Sequence, residues 1–295
     1  MWQRYTIISG AVVLILVFIV IVFRYHQPSP TTNISNEPVG NPLPVKFWEE
    51  KAFYDGLPVP GTIPTEVPFV GGIIPHHLVA GSLIGDLFAR LAKQNPQTII
   101  LIGPNHYEVG DALVISSRKD WETKFGTVFA DRAILDDLYE KDLLIFNDEV
   151  MLEEHSTQGM MPYVSYFTPK AKVVPIILSG LITKPELENL AGAIEQYVRD
   201  GAIVIAPVDF SHHLTSEEAS KRDEVTLEVI QAKDIDWLLK LKSEYTDSAA
   251  SVALLIMLME KTGHNSFTLM NHTNSGELLG DPTQEVTSYI EGVFR

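Results

Sequence analysis

The chain of 295 residues contains no cysteine. It therefore forms no disulfide bond and offers no thiolate ligand, so any metal ion must be held by histidine, carboxylate or water. Basic residues are also few, with 22 lysines and arginines against 38 aspartates and glutamates, which gives a formal net charge of −16. Because nucleic-acid binding relies on clustered positive charge, we expect no nucleic-acid partner.

The N-terminus contains a run that lacks charge altogether. Residues Ile7 to Phe23 are 17 residues without a charged side chain. A helix of that length spans roughly 25 Å, enough for the core of a bilayer with small adjustments at its ends. A cleaved signal peptide is the alternative, but the following residues Arg24-Tyr25-His26 provide no small-residue cleavage site. The sequence thus predicts one transmembrane helix within an anchor over residues 1–25.

The charges beside this run predict its orientation. Arg4 and the terminal amine precede it, and after Arg24 the next basic residue is Lys46. Positive charge is enriched on the cytoplasmic side of membrane helices, so the pattern favours an extracytoplasmic soluble domain. Residues 26–67 are rich in proline, asparagine, threonine and serine and are interpreted as a linker. Residues 68–295 have the length and the alternating apolar pattern of one α/β domain.

Short apolar runs alternate with longer runs of helical periodicity in this domain. The strand-like runs cover residues 70–74, 97–103, 112–116, 172–178, 202–208, 266–272 and 287–294. The helix-like runs cover residues 78–93, 131–141, 155–167, 184–199, 217–232 and 248–261. Near-continuous valine and isoleucine are typical of strands covered on both faces. The sequence predicts an α/β fold with a central, mostly parallel or mixed sheet flanked by helices.

Histidines follow three of the strand-like runs directly. His76 follows VGGIIP, His106 follows QTIILIGPN, and His212 follows AIVIAPV with Asp209 between them. Sites in open α/β sheets form beyond the carboxyl ends of the strands, so these side chains should meet at one edge. Imidazole binds metal ions and transfers protons near neutral pH. Each histidine alone is explained by an ordinary hydrogen-bonded turn, but three at one edge predict a functional site.

His155 does not follow a strand-like run but stands at the start of a helix-like one. It follows Glu153 and Glu154 at the start of a helix-like run, where acidic side chains favour a helix N-terminus. The residue is either part of a helix cap or a polar side chain that points into the same cleft, and the sequence leaves both interpretations open.

Five blocks of the domain resemble a known family. The blocks are GGIIPHHLVAG, IILIGPNHYEVG, EEHSTQGMMPYVSYF, IVIAPVDFSHHL and HTNSGELLGDPTQEVTSYIEGVF. In this order they are similar to the signature blocks of Memo-like proteins, also called AmmeMemoRadiSam system protein B. The resemblance implies a fold related to class III extradiol ring-cleavage dioxygenases, which use non-haem Fe(II).

The resemblance also implies roles for particular residues. His76 stands at the histidine of the family's Pro-His-Ala-Gly block and His106 at that of Gly-Pro-Asn-His, and both are implied as metal ligands. His155, Asp209 and His212 stand at polar positions of the same cleft, where they would move protons or orient a substrate.

Two positions depart from the family pattern. His77-Leu78-Val79 replaces the usual Ala-Gly-Tyr, so one wall of the pocket differs. The family also places a cysteine, its third ligand, about where this chain has Asp247 or Ser248. Asp247 would complete a triad of two histidines and one carboxylate, which is typical of non-haem Fe(II) sites. Aspartate is also a preferred helix N-cap, so a capping role for Asp247 is the alternative.

Two classes of function follow from these residues and the resemblance. The first is a metal-dependent redox or hydrolytic enzyme that uses Fe(II), with Zn or Cu as alternatives, on an unidentified small molecule or peptide. The second is a non-catalytic adaptor that uses the same cleft for an anionic or peptide ligand. The family's genomic association implies a link to a radical-SAM protein. His272, in the last block, is interpreted as an ordinary histidine of this segment, with a position near the cleft as the alternative.

Overall fold

The computed structural model describes residues 40–59, 61–63, 68–281 and 283–295. The predicted anchor over residues 1–25 and the first part of the predicted linker lie outside these ranges. Among the helices within the ranges, none combines the length and the apolar character that crossing a bilayer requires.

The described ranges contain short and long strands and helices in alternation. The strands are β1 (Leu43–Pro44), β2 (Gly71–Ile74), β3 (Thr98–Pro104), β4 (Val114–Ser116), β5 (Trp121–Thr123), β6 (Gly126–Val128), β7 (Ile145–Phe146), β8 (Lys172–Leu178), β9 (Ile203–Pro207), β10 (Phe267–Asn274) and β11 (Ser288–Phe294). The α-helices are α1 (Glu50–Asp55), α2 (Gly81–Ala92), α3 (Arg132–Glu140), α4 (Asp148–Glu153), α5 (His155–Gln158), α6 (Met161–Phe167), α7 (Lys184–Arg199), α8 (Ser216–Ala232), α9 (Ile235–Leu238), α10 (Ala249–Thr262) and α11 (Ser275–Leu279).

The main sheet is mixed, and its centre is parallel. Eight strands of the described chain form it in the order β10-β11-β2-β9-β3-β8-β4-β7. The four central strands β2, β9, β3 and β8 run parallel. β11 pairs antiparallel with both β2 and β10, and β4 pairs antiparallel with β8 but parallel with β7. The prediction of an α/β fold with a mixed central sheet flanked by helices is confirmed.

Side chains of the central strands enter two separate cores. Ile100 of β3 belongs to one core with α7 and α10, and its neighbour Leu101 belongs to the other with α2 and α6. The same alternation holds for Val204 and Ile205 of β9. Because successive side chains of a strand point to opposite faces, a strand covered on both faces must be apolar throughout. These two cores explain the near-continuous isoleucine and valine of the central runs.

The predicted linker over residues 26–67 is wrong for residues 43–55, which contain a strand and a helix. Residues 43–44 form β1, which pairs in parallel with β5 in a second, three-stranded sheet. Residues 50–55 form α1, whose Phe53 is only 1% exposed. The overall composition of residues 26–67 is typical of a linker, although the region includes a short amphipathic segment with Phe47, Trp48 and Phe53. This segment is therefore part of the folded domain.

The predicted single helix over residues 155–167 is divided into α5 and α6. Gly159 and Met160 separate the two helices, and Pro162 lies in the first turn of α6. Proline has no N–H to donate to a preceding turn and is therefore favoured at the start of a helix. As a result, His155 occupies the start of its own one-turn helix.

One carboxyl group is enclosed within the sheet. Glu291 of β11 is fully buried, and Asn271 of β10 donates a hydrogen bond to its Oε2 at 3.1 Å. Burial, reinforced by the nearby charge of Asp86, raises the pKa of Glu291 from 4.5 to about 8. The folded protein therefore keeps a proton here that the unfolded chain releases at lower pH.

This proton predicts a pH dependence of stability. Between pH 4.5 and about 8 the folded state binds more protons than the unfolded state, so the contribution of Glu291 to stability falls as the pH rises. We expect Glu291→Gln, which mimics the neutral acid, to gain about 1–3 kcal/mol relative to the unsubstituted protein between pH 5 and pH 8. Urea unfolding at both pH values measures the difference. Glu260→Gln, at an exposed position of α10, is the control, and an equal difference at both pH values would contradict the assignment.

Candidate metal centre

Three parallel strands deliver polar side chains to one edge of the sheet. β2 leads into His76, β9 into Asp209, and β3 into His106. The three strands are adjacent in the order β2-β9-β3, so their carboxyl ends lie at the same edge. The ring centroids of His76 and His106 are 4.9 Å apart. The strand-end placement foreseen from the sequence thus brings these residues together.

His76 is buried, and its ring is oriented by a hydrogen bond to a backbone carbonyl. Its Nδ1 lies 3.1 Å from the carbonyl oxygen of Pro207, and because a carbonyl only accepts, Nδ1 must carry the proton. Nε2 is then the ring nitrogen that faces the carboxylates of the cleft. This Nε2 lies 3.4 Å from Asp247 Oδ2 and 3.6 Å from Asp209 Oδ2.

His106 is held in the same manner by a buried carboxylate. Its Nδ1 lies 2.8 Å from Glu154 Oε1, and its backbone N–H donates to Glu154 Oε2 at 2.9 Å. Its Nε2 lies 3.4 Å from Asp247 Oδ2. Histidine ligands commonly donate their second N–H to a carboxylate or carbonyl, which fixes the ring and exposes the other nitrogen. Both histidines have this arrangement.

Packing between β3 and α5 makes this contact possible. Glu154 is the N-cap of α5, where its side chain accepts a hydrogen bond from the backbone of Ser156. Gly103 of β3 has no side chain, and a Cβ there would overlap Ser156 Oγ. The absence of that Cβ lets α5 approach β3 closely enough for Glu154 to reach His106.

Asp247 does not cap the helix that follows it. The N-cap of α10 is Ser248, whose Oγ accepts from the N–H of Ser251 at 3.1 Å, so the capping alternative for Asp247 is wrong. Asp247 is half-buried in the loop, with its side chain 9% exposed, and its Oδ2 accepts from the N–H of Asp209 at 3.3 Å. Its Oδ1 is buried without a hydrogen-bond partner among the described residues. A buried carboxylate oxygen without a partner is costly unless something else binds it.

His155 belongs to the same cluster. Its ring stacks on that of His106 with centroids 4.1 Å apart, and it lies 5.0 Å from the ring of His76. The capping role at this helix falls to Glu154, so His155 is a cleft residue rather than an incidental part of a cap. On its outer side it contacts the ring of Phe47 at 5.6 Å.

The charges of the cluster follow from these contacts. Burial opposes protonation of His106, but the carboxylates of Asp247 and Glu154 outweigh it and raise the pKa of His106 to about 10. Burial would raise the pKa of Glu154, yet its bonds to His106 lower it to about 2. Burial, together with the charges of His76 and His106, lowers the pKa of His155 to about 4. His106 is thus positively charged near neutral pH in the absence of an ion, and His155 is neutral.

The arrangement can hold a metal ion. Two sets of residues offer ligand atoms within 4.8 Å of one another: His76 with His106 and His155, and His76 with Asp209 and Asp247. Two donors that are each about 2.1 Å from one ion lie roughly 3.0 Å apart at right angles and roughly 3.4 Å apart at tetrahedral angles. Asp247 Oδ2 lies 3.4 Å from Nε2 of both His76 and His106, at the wide end of this range. The unpartnered Asp247 Oδ1 also fits an added cation.

The other predicted residues lie outside this cluster. His212 is in neither set of ligands among the described residues. His272 Nε2 donates a hydrogen bond at 2.7 Å to Oδ2 of the buried Asp223, whose Oδ1 also accepts a hydrogen bond from Ser211. Neither residue therefore joins His76 and His106 directly.

Sequence reasoning missed two contributors to the site. Glu154 was interpreted only as an acidic residue of a helix N-terminus, although it stands next to His155 in one of the signature blocks. Phe47 lies in the region assigned to a linker, and no pattern in its surroundings indicated a contact with His155.

Glu154 predicts a measurable effect on metal affinity. Glu154→Gln keeps the size of the side chain but removes the charge that orients His106, so we expect divalent-metal affinity to fall about 10–100-fold. Titration of the metal-free protein with Zn²⁺ against a competing chelator measures the change. Glu153→Gln is the matched control, because the carboxylate of Glu153 is exposed and pairs with Lys46 rather than with His106. Equal affinities in the two variants would refute the role of Glu154.

Comparison with known proteins agrees with the fold and the signature blocks. A family model described as Memo-like protein matches residues 64–293. A MEMO1 family protein of Pyrobaculum aerophilum is 29% identical over 226 residues, which cover 72% of this chain and 78% of the relative. One of Methanobrevibacter smithii is 29% identical over 252 residues, covering 80% and 89% respectively.

A solved structure is similar in fold alone. It is the crystal structure of the uncharacterized protein JW3007 from Escherichia coli K12, with a TM-score of 0.51 and 10% sequence identity, covering 77% of this chain and 100% of that chain. Since the family model spans most of the sequence, the chain belongs to the Memo-like family.

Proposed function

We propose that this protein is a metal-dependent enzyme in which His76, His106 and Asp247 hold one Fe(II) ion. The observation that carries the proposal is the position of Asp247 Oδ2, which lies 3.4 Å from Nε2 of each histidine. The Nδ1 atoms of the two histidines are hydrogen-bonded to Pro207 and Glu154. Two imidazoles and one carboxylate on one side of an ion are typical of non-haem Fe(II) sites with open positions for substrate.

The ligand types favour Fe(II) or Zn over Cu(I). Cu(I) prefers soft sulfur ligands, and the chain has no cysteine. Asp247 instead supplies a hard oxygen donor. A bound Fe(II) ion would supply redox chemistry at a coordinated substrate, and Zn would supply a polarised water for hydrolysis.

The protein's own residues prepare this site. Asp209 accepts a hydrogen bond from the backbone N–H of His76 and donates its own N–H to Asp247, so it fixes the spacing of two ligands. His155, stacked on His106, lies next to the pair as a neutral imidazole and can orient a substrate bound there by a hydrogen bond. In this proposal Asp209 positions the ligands and His155 orients the substrate.

Elemental analysis of anaerobically purified full-length protein tests the proposal. We expect about one iron per chain, and a raised melting temperature when Fe(II) or Zn²⁺ is added to metal-free protein. Zinc as purified would shift the assignment to hydrolysis. Absence of bound metal, together with no thermal shift for either ion, would reject the enzyme and favour a binding module that uses the same cleft.

A further inference from the structure

A fully buried carboxylate lies outside the candidate metal centre. It belongs to Asp223, which stands on the buried face of α8 together with Ala219 and Thr226. Aspartate is rarely buried completely unless its charge has partners, because a charge without partners loses the stabilisation that water provides. The partners of Asp223 therefore indicate what the residue does.

Three side chains of the described chain donate hydrogen bonds to Asp223. Ser211 Oγ and Ser288 Oγ both donate to its Oδ1, at 2.7 Å and 2.9 Å. His272 Nε2 donates to its Oδ2 at 2.7 Å, and this hydrogen bond raises the pKa of His272. A protonated imidazole at this position balances the buried negative charge. The carboxylate thus joins α8 to the loop after β9, to β11 and to β10.

Ser211 is the partner that leads to the metal centre. It stands two residues after Asp209 in the loop that follows β9. Asp209 Oδ1 accepts a hydrogen bond from the backbone N–H of His76 at 3.1 Å, and the N–H of Asp209 donates to Asp247 Oδ2 at 3.3 Å. A shift of this loop would therefore change the separation of two proposed metal ligands.

Hydrogen bonds hold this loop to two different elements. The N–H of Phe210 donates to the carbonyl oxygen of Ser288 at 3.0 Å, and the N–H of Ser288 donates to the carbonyl oxygen of Ser211 at 2.9 Å. These backbone bonds tie the loop to the start of β11. The hydroxyl of Ser211 ties the same loop to Asp223 of α8.

We propose that Asp223 is a positioning residue of the metal centre. Through Ser211 its carboxylate fixes the loop that carries Asp209, and Asp209 in turn sets the spacing of His76 and Asp247. Metal ligands need to be held within about 0.5 Å of their productive positions, so a second anchor for this loop bears directly on affinity. This inference rests on the proposed function, because the spacing matters only if an ion binds there.

Two serine variants separate positioning from general stability. Ser211→Ala and Ser288→Ala each remove one buried hydroxyl from the same oxygen of Asp223. We expect similar losses of melting temperature for the two variants of the metal-free full chain. The affinity for Zn²⁺, measured against a competing chelator, should fall about tenfold in Ser211→Ala and change less than about twofold in Ser288→Ala. Equal affinities in the two variants would overturn the proposal.

The absorption spectrum of bound Co²⁺ reports the geometry of the ligands. A change of ligand spacing shifts the d–d bands, whereas a loss of stability alone leaves them in place. We expect shifted bands in Ser211→Ala and Asp223→Ala but not in Ser288→Ala. Asp223→Asn should restore the original bands, because its amide oxygen can accept from Ser211 while its NH₂ group donates to Nε2 of a neutral His272. Unshifted bands in Ser211→Ala would contradict the proposal.

The backbone N–H of His76 provides a readout that needs no metal. Because it donates to Asp209 Oδ1, movement of the loop should change its amide chemical shift and its rate of hydrogen exchange. We expect this change in Ser211→Ala and not in Ser288→Ala. If the full chain binds no metal but the His76 amide responds in this way, only the proposed function fails. If metal binds with the expected ligands and the two variants do not differ in affinity, spectrum or amide shift, only the role of Asp223 fails.

Discussion

Replacing Asp247 with alanine is expected to weaken binding of Fe(II) or Zn²⁺ by about 100-fold or more, because the ion loses its only anionic ligand in the proposed set. Asp247 Oδ2 lies 3.4 Å from Nε2 of both His76 and His106, and Oδ1 has no hydrogen-bond partner in the described chain. The fold should tolerate the change, since Ser248 rather than Asp247 caps α10. Competitive titration with a chelator measures affinity, and thermal unfolding without metal measures the fold.

Two further substitutions sharpen this test. Asp236→Ala removes an exposed carboxylate that pairs with Lys184, and it should leave metal affinity unchanged. Asp247→Cys should move the preference of the site from Fe(II) towards Cu(I), because a thiolate is the softer ligand. Metal affinity of Asp247→Ala equal to that of the unsubstituted protein would exclude Asp247 as a ligand.

Replacing Phe53 with alanine is expected to lower the free energy of unfolding by about 3–5 kcal/mol. Phe53 is 1% exposed and contacts the rings of Phe125 and Tyr163 at centroid distances of 4.8 Å and 4.7 Å. Its removal would leave a cavity between α1 and the domain. Chemical unfolding at equilibrium measures the loss.

Tyr54→Ala is the matched control for Phe53→Ala. Tyr54 is the next residue of the same helix, but it is 45% exposed, so its removal should cost much less. Equal losses in the two variants, or a negligible loss for Phe53→Ala, would show that α1 is not an integral part of the folded domain.

The sequence predicted the centre of the fold because local patterns determine it. The runs that became β3, β8 and β9 are apolar at successive positions, as strands buried on both faces require. The placement of His76 and His106 at one edge followed from the strand ends alone. Asp247 as a third ligand came from the resemblance and from the missing cysteine rather than from any periodicity.

The remaining parts of the site depend on contacts between distant residues. Glu154 reaches His106 across 48 residues of sequence, and Phe47 reaches His155 from a region whose overall composition is typical of a linker. The position of His212 outside both ligand sets depends on how the loop after β9 turns. No local pattern reports such contacts, which is why sequence reasoning could not find them.

The loop before α10 is held by hydrogen bonds that do not use the side chain of Asp247. Thr246 Oγ1 and the backbone N–H of Asp247 both donate to the carbonyl oxygen of Asp209, at 3.2 Å and 3.1 Å. Ser248 caps the N-terminus of α10. All of these bonds would remain if the side chain at position 247 were changed. A substitution at position 247 can therefore change the chemical group presented to His76 and His106 while the backbone of the loop keeps these hydrogen bonds.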